Sequence, residues 1–201
     1  MKKLLVTGFE PFLDNPINPT EEIVKALAGQ IIGGYEIIGR VLPVDFAESA
    51  KRCIEYVNEV KPDVVISLGL AAGRNKMTPE RIAINCRDGA ADNSGMKLQD
   101  SPIEEDGPAG YFSTLPIREF VNAAMEKGFP ATISNTAGTY LCNNVMYSVL
   151  HKINKDSLPI RAGFIHIPAS HELAIQKPRL PSWSQRDLIE AIVSMVEALD
   201  K

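Results

Sequence analysis

Ser134-Asn135-Thr136-Ala137-Gly138-Thr139-Tyr140-Leu141-Cys142-Asn143-Asn144 separates two different periodicities. Before it, Phe129, Ala131 and Ile133 alternate as in a strand. After it, Leu141, Val145, Val149 and Ile153 recur at the four-residue step of a helix. The chain is therefore expected to leave a strand, cross a loop of small polar residues and place Cys142 in the first turn of a helix. No charged side chain occurs from Gly128 to Leu150, yet Ser134, Asn135, Thr136, Asn143 and Asn144 are polar. That mixture suits a buried segment with a polar end better than a membrane span.

Working outward, strand-like runs recur at Lys3–Thr7, Tyr35–Val41, Val64–Leu70, Arg81–Asn85, Ala131–Ser134 and Arg161–Ile167. Helical patterns with start signals lie between several of them. Asn18-Pro19 offers a capping amide before proline at the first helical position. Asp45-Phe46-Ala47-Glu48 reads as a capping box leading into Ala50, Ile54, Val57 and Val60. Pro116 opens a helix that ends at Lys127-Gly128. Ser184 starts a last one with Leu188, Ile192, Val196 and Leu199 inward. Alternating elements imply a mainly parallel, twisted sheet with helices on both faces, a three-layer α/β/α sandwich. No repeat or linker interrupts it, so residues 1–201 read as a single catalytic domain. Asp88–Gly110, rich in Gly, Pro and Asp, reads as a surface excursion carrying a short hairpin.

At 201 residues the chain is long enough to bury about 70% of its unfolded surface. A net charge of −4 and no Lys/Arg cluster argue against a nucleic-acid partner. Gly8-Phe9-Glu10 interrupts the apolar start too early for a signal peptide, and no segment is apolar enough to span a bilayer. Cys53, Cys86 and Cys142 form neither a disulfide framework nor a CxxC metal site. A reducing, cytoplasmic setting follows, and a catalytic thiol needs one.

A helix N-terminus presents unpaired N–H groups and partial positive charge, which favour the nucleophilic thiolate of Cys142. His166 ends the apolar run before Pro168, at the carboxyl end of a strand, where sites of α/β sheets form. Together they supply a nucleophile and a general base. A carboxylate accepting from the imidazole Nδ1–H would fix its tautomer. Glu80 is the candidate, although spacing alone does not choose it over Asp88 or Glu10. Phe9 and Phe12, in the turn after the first strand, can wall a small apolar pocket.

Four blocks carry a more specific resemblance: Val6-Thr7-Gly8-Phe9-Glu10-Pro11-Phe12 with Asn18-Pro19; Gly69 through Asn85; Ser134 through Asn143; and Gly163-Phe164-Ile165-His166-Ile167-Pro168. In this order they resemble the pyroglutamyl peptidase I (pyrrolidone carboxyl peptidase) family of cysteine peptidases. The resemblance implies a triad of Glu80, Cys142 and His166 that removes N-terminal pyroglutamate from peptides, with no metal and no organic cofactor. It implies that Phe9, Phe12, Asn18 and Leu70 contact the substrate, and that the chain forms a homo-oligomer, a dimer or tetramer. The family commonly has glycine where Leu13 stands, and many relatives have a lactam-holding glutamine where Leu70 stands. Arg87–Gly95 also departs from the family pattern. The chemistry is expected to survive these changes, with weaker binding of the ring.

Three other readings compete. His166 and His171 with Glu172 suggest zinc, but the five-residue step across Pro168 does not match a one-face helical HExxH site. Gly69–Gly73 suggests an anion nest for a phosphate-using transferase, but lacks the Walker Gly-Lys-Ser/Thr. A lactam-binding or weakly active homologue, with a different small amide as substrate, is the remaining alternative.

Overall fold

The computed structural model describes residues 1–201. Its elements in chain order begin with β1 (Lys2–Phe9), α1 (Pro19–Leu27), β2 (Ile31–Ile32), β3 (Tyr35–Leu42), α2 (Ser49–Val60) and β4 (Val64–Leu70). They continue with β5 (Thr78–Pro79), β6 (Ile82–Ile84), β7 (Gly110–Phe112), α3 (Ile117–Glu126) and α4 (Leu141–Lys155). The last are β8 (Arg161–Ile167), β9 (Ala169–Ser170), α5 (His171–Gln176), β10 (Ser182–Trp183) and α6 (Gln185–Val196). The main sheet runs β2-β3-β1-β4-β8-β5. Its four central strands are parallel, and the two-residue strands β2 and β5 close the edges antiparallel.

Strand parity sorts the side chains between two cores. Leu4 and Val6 of β1, Val64, Ile66 and Leu68 of β4, and Ile165 and Ile167 of β8 pack with α1, α3 and α6. Leu5, Phe9, Val65, Ala162 and Phe164 face the other way and pack with α2 and α4. The expected three-layer sandwich is present. The chain passes from β1 to β3 on one side, then crosses to β4 on the other, so the strand order reverses between β1 and β4. The crevice beyond the carboxyl ends of those strands is where such sheets bind ligands.

Two expected strands take other forms. Ala131–Ser134 makes only isolated bridges, Met77↔Ala131 and Glu80↔Ser134. Pro79 and Pro130 lack the N–H groups that a continuous ladder would need. Residues 82–84 leave the main sheet and pair with Gly110–Phe112, so the irregular excursion is the long connection between the arms of a small hairpin. The helix starts fall near their signals. Asn18 accepts from Thr20 N as N-cap of α1, and Ser184 accepts from Asp187 N as N-cap of α6. Asp45 Oδ1 instead accepts from Ala47 N and Glu48 N in the turn before α2, which begins at Ser49.

Candidate active site

His166 shares parity with Ala162 and Phe164 and so points toward the α4 side of the sheet. On β4 the residue opposite it is Gly69. A Cβ built on Gly69 would lie 2.8 Å from Cys142 Sγ, which places the thiol over the Gly69–His166 pair. Cys142 occupies the first turn of α4, as the sequence suggested. No side chain caps this helix, which leaves first-turn N–H groups free for a ligand. The polar residues that follow Cys142 anchor the turn. Asn143 accepts from Ile84 N and donates to Ile84 O and Cys86 O, and Asn144 donates to Phe46 O. This explains how a charge-free, partly polar segment comes to be buried.

Glu80 is fully buried, and its Oε1 lies 2.7 Å from His166 Nδ1. The two carboxylates that spacing could not separate from it are used elsewhere or lie apart. Glu10 Oε1 accepts from Val44 N and Asn93 Nδ2. Asp88 meets Thr139 through its backbone. His171 faces Ser182 Oγ at 2.9 Å instead of joining His166. Arg74 Nη1 also reaches Glu80 Oε1, at 2.8 Å, a contact that sequence reasoning missed because Arg74 read as part of a glycine-rich turn. Ser134 neighbours the carboxylate, but its hydroxyl donates to Thr136 O, and Glu80 Oε2 has no hydrogen-bond partner.

The electrostatics follow from burial and partners. Burial pushes the His166 pKa down, but the nearby Cys142, followed by Glu80, outweighs it, and the imidazole is raised to about 9. Burial pushes Glu80 up. The hydrogen bond and charge of His166, with a smaller share from the Arg74 contact, reverse this and leave it below the usual carboxylate range. The set therefore favours imidazolium beside carboxylate at neutral pH. Cys53, wholly buried, is pushed up to about 12 by that burial, which suits an inert core thiol.

Beside Cys142 is a cleft with about 250 Å³ of empty space including its mouth. Phe9, Phe12, Asn18 and Leu70 all line it, joined by Val44, Tyr140 and Leu141. These last three had no signal beyond their apolar character and, for Tyr140 and Leu141, their closeness to Cys142. The excursion backs the cleft, since Tyr140 donates to Ala91 O and Asn93 N donates to Val44 O. Asn18 is the only polar residue in the wall. Its Oδ1 accepts from Thr20, one amide proton goes to Glu10 O, and the other has no acceptor within the chain.

A thiol at a helix start, beside an imidazole held by a buried carboxylate on a parallel sheet, defines a cysteine hydrolase of the α/β class. The sequence pattern of the pyroglutamyl peptidase family matches residues 2–201, and the chain belongs to that family. It is 56% identical over 200 residues to the pyrrolidone-carboxylate peptidase of Oceanobacillus iheyensis, covering 100% of both chains. It is 52% identical over 197 residues to that of Halalkalibacterium halodurans, covering 98% of each. Among solved structures, the pyrrolidone carboxyl peptidase of Thermococcus litoralis superposes with a TM-score of 0.95 at 41% identity, over 99% of this chain and 93% of that one. No helix is long and apolar enough to cross a membrane.

Proposed function

We propose that this chain hydrolyses the amide bond after an N-terminal pyroglutamyl residue, with Cys142 as nucleophile, His166 as general acid and base, and Glu80 orienting the imidazole. The observation that carries the assignment is the 2.7 Å contact of His166 Nδ1 with Glu80 Oε1, on a strand whose partner residue Gly69 opens the space taken by Cys142 Sγ. Pyroglutamate is an uncharged lactam with no α-ammonium. A cleft of Phe9, Phe12, Val44, Leu70 and Tyr140 with one free amide proton on Asn18 suits such a ring. The lactam carbonyl accepts that proton.

The Cys142 thiolate adds to the scissile carbonyl, and the oxyanion takes N–H groups of the uncapped first turn of α4. The C–N bond breaks as His166 Nε2 gives its proton to the leaving amine. Water then gives a proton to the neutral Nε2 and its oxygen to the acyl carbon. The C–S bond breaks, releasing pyroglutamate and restoring thiolate and imidazolium. Peptides with a blocked pyroglutamyl end are the substrates, the working compartment is the cytoplasm, and the chain acts as a homo-oligomer. The test is a pyroglutamyl-amide reporter with wild type and Cys142→Ser. The variant should fold and lose nearly all turnover, and alkylation of wild type should label Cys142 before Cys53 or Cys86. Wild-type turnover in Cys142→Ser rejects the assignment.

A further inference from the structure

Arg74 lies on the turn after β4, outside the three residues assigned above, yet it shares their carboxylate. Its Nη1 donates to Glu80 Oε1 at 2.8 Å and to Thr78 Oγ1 at 2.7 Å, which uses both protons of that nitrogen. Thr78 Oγ1 in turn donates to His166 O at 3.3 Å. Because β5 pairs with β8, Thr78 stands opposite His166, and Glu80 N donates to Phe164 O. The guanidinium, the threonine, the histidine backbone and the glutamate thus close a ring of contacts around one carboxylate oxygen. The turn itself is held, since Arg74 N donates to Ala71 O and Trp183 Nε1 donates to Asn75 O. The charged groups facing Glu80 are His166 and Arg74, with Cys142 beyond the imidazole. Arg81, next in the chain, points to Asn135 Oδ1.

We infer that Arg74 is a positioning residue that keeps Glu80 ionised and aimed at His166 while the imidazole is neutral, so that its main effect falls on deacylation. This rests on the proposed Cys142–His166–Glu80 mechanism. Before acylation, imidazolium and guanidinium both face the Glu80 carboxylate. Once the leaving amine has taken the proton and the thiol is acylated, imidazole and thioester are both neutral. Glu80 is then a fully buried carboxylate whose one remaining counter-charge is Arg74. Arginine stays protonated throughout, whereas a buried carboxylate without a partner takes up a proton instead. A protonated Glu80 would donate to Nδ1. That places the imidazole's one proton on Nε2, the atom that must accept from water, and the acyl-enzyme stalls.

The test compares wild type, Arg74→Gln and Arg74→Lys by stopped flow with pyroglutamyl p-nitroanilide, by the pH profile of kcat, and by the rate of Cys142 alkylation. Arg74→Gln should lower kcat at least tenfold near neutrality and release a burst of p-nitroaniline approaching one equivalent per site. Its acid limb should move up by at least half a pH unit. Its alkylation rate should stay within threefold of wild type, because imidazolium still supports Glu80 before acylation. Arg74→Lys keeps the charge and should restore the acid limb. A wild-type kcat profile in Arg74→Gln overturns the inference. So does a parallel fall of kcat and alkylation that lysine fails to rescue, which marks a merely structural role. Should Arg74→Gln not fold, Thr78→Val, which removes the guanidinium's second acceptor, must show the acid-limb shift in smaller degree, and an unmoved limb overturns the inference there. A Cys142→Ala enzyme that turns over refutes the underlying mechanism. An inactive Cys142→Ala beside an unaffected Arg74→Gln refutes the positioning role of Arg74 alone.

Discussion

Adding one methyl group at Gly69 tests whether the thiol is placed by the sheet beneath it. The new Cβ would stand 2.7 Å from Phe164 Cε1, 2.8 Å from Phe164 Cζ and 2.8 Å from Cys142 Sγ. Ordinary contact begins near 3.4 Å, so each neighbour must yield by about 0.6 Å. Phe164 has little room to do so, being fully buried, with its ring centroid 6.5 Å from that of Phe9 and 4.9 Å from that of His166. Overpacking of this kind costs about 1–3 kcal/mol, a fall in Tm of roughly 2–12 °C for a chain of this size. The rest of the strain displaces Sγ from His166. A misplacement of about 1 Å costs on the order of a hundredfold in rate, so Gly69→Ala should lose roughly 10- to 100-fold in kcat/KM. KM should change less, because Gly69 does not line the cleft. Pyroglutamyl-amide turnover, alkylation rate and a thermal melt measure the three effects. Gly128→Ala is the control. Gly128 has φ +86 with nothing within 4 Å of a built Cβ, so alanine there strains the backbone without touching the site. It should cost about 1 kcal/mol, the usual scale of αL strain, and no activity. A Gly69→Ala enzyme with wild-type kcat/KM would refute this account of how the thiol is positioned.

His166→Ala should be nearly inactive, while Glu80→Gln should keep measurable turnover, because the reacting pair survives loss of its orienting group; the reverse ranking would require reassigning both roles. The raised His166 pKa gives a signed pH dependence. Its contribution to stability is fully present below the ordinary value of 6.5 and is lost as pH rises through about 9. Activity should fall as pH rises through about 9, where the proposed proton donor for the leaving amine is lost. In Cys142→Ala the leading cause that raises this pKa is gone, so imidazole titration by NMR should move down, and an unmoved value contradicts the thiolate contact. Pyroglutamyl-Ala should be cleaved far better than Gln-Ala, whose α-ammonium would enter an apolar wall without a counter-charge. Equal kcat/KM for the two would show that the cleft does not read the lactam. Leu70→Gln adds an amide to that wall and should lower KM for pyroglutamyl substrates, as measured by steady-state kinetics.

β4 was legible to the residue because Val64–Leu70 is one apolar run stopped by a turn, and β8 because Pro168 ends Arg161–Ile167. Ala131–Ser134 has the same apolar rhythm but lies against Thr78-Pro79, where proline interrupts the ladder, and that neighbour lies more than fifty residues away in the chain. Ile82–Ile84 was visible as a strand, whereas its partner across the long excursion was not. Resemblance could choose Glu80 among three carboxylates, while spacing could not, because the choice depends on which strand crosses β8. Arg74 left no trace for the same reason. Its two acceptors, Thr78 and Glu80, are near in sequence, but their meaning comes from β5 folding back antiparallel onto His166.

The facing of the site was hidden by the feature that makes the fold easy to recognise. A parallel sheet covered on both sides has continuous apolar strands, so alternation does not reveal which residues share a face. Thr7, Ser67 and His166 are the polar residues inside β1, β4 and β8, and all are buried. Thr7 donates to Ser67 at 2.9 Å, both lie beside Cys53, and His166 follows two residues after Phe164, on the α4 side of the sheet. These few polar breaks in otherwise apolar strands mark the face of the candidate site. Gly69 marks it as well, since a strand residue without a side chain leaves room on that face for an approaching atom, and here that atom is Cys142 Sγ. In this doubly covered sheet, the side where polar and missing side chains coincide is the side that faces Cys142, which hydrophobic alternation does not reveal.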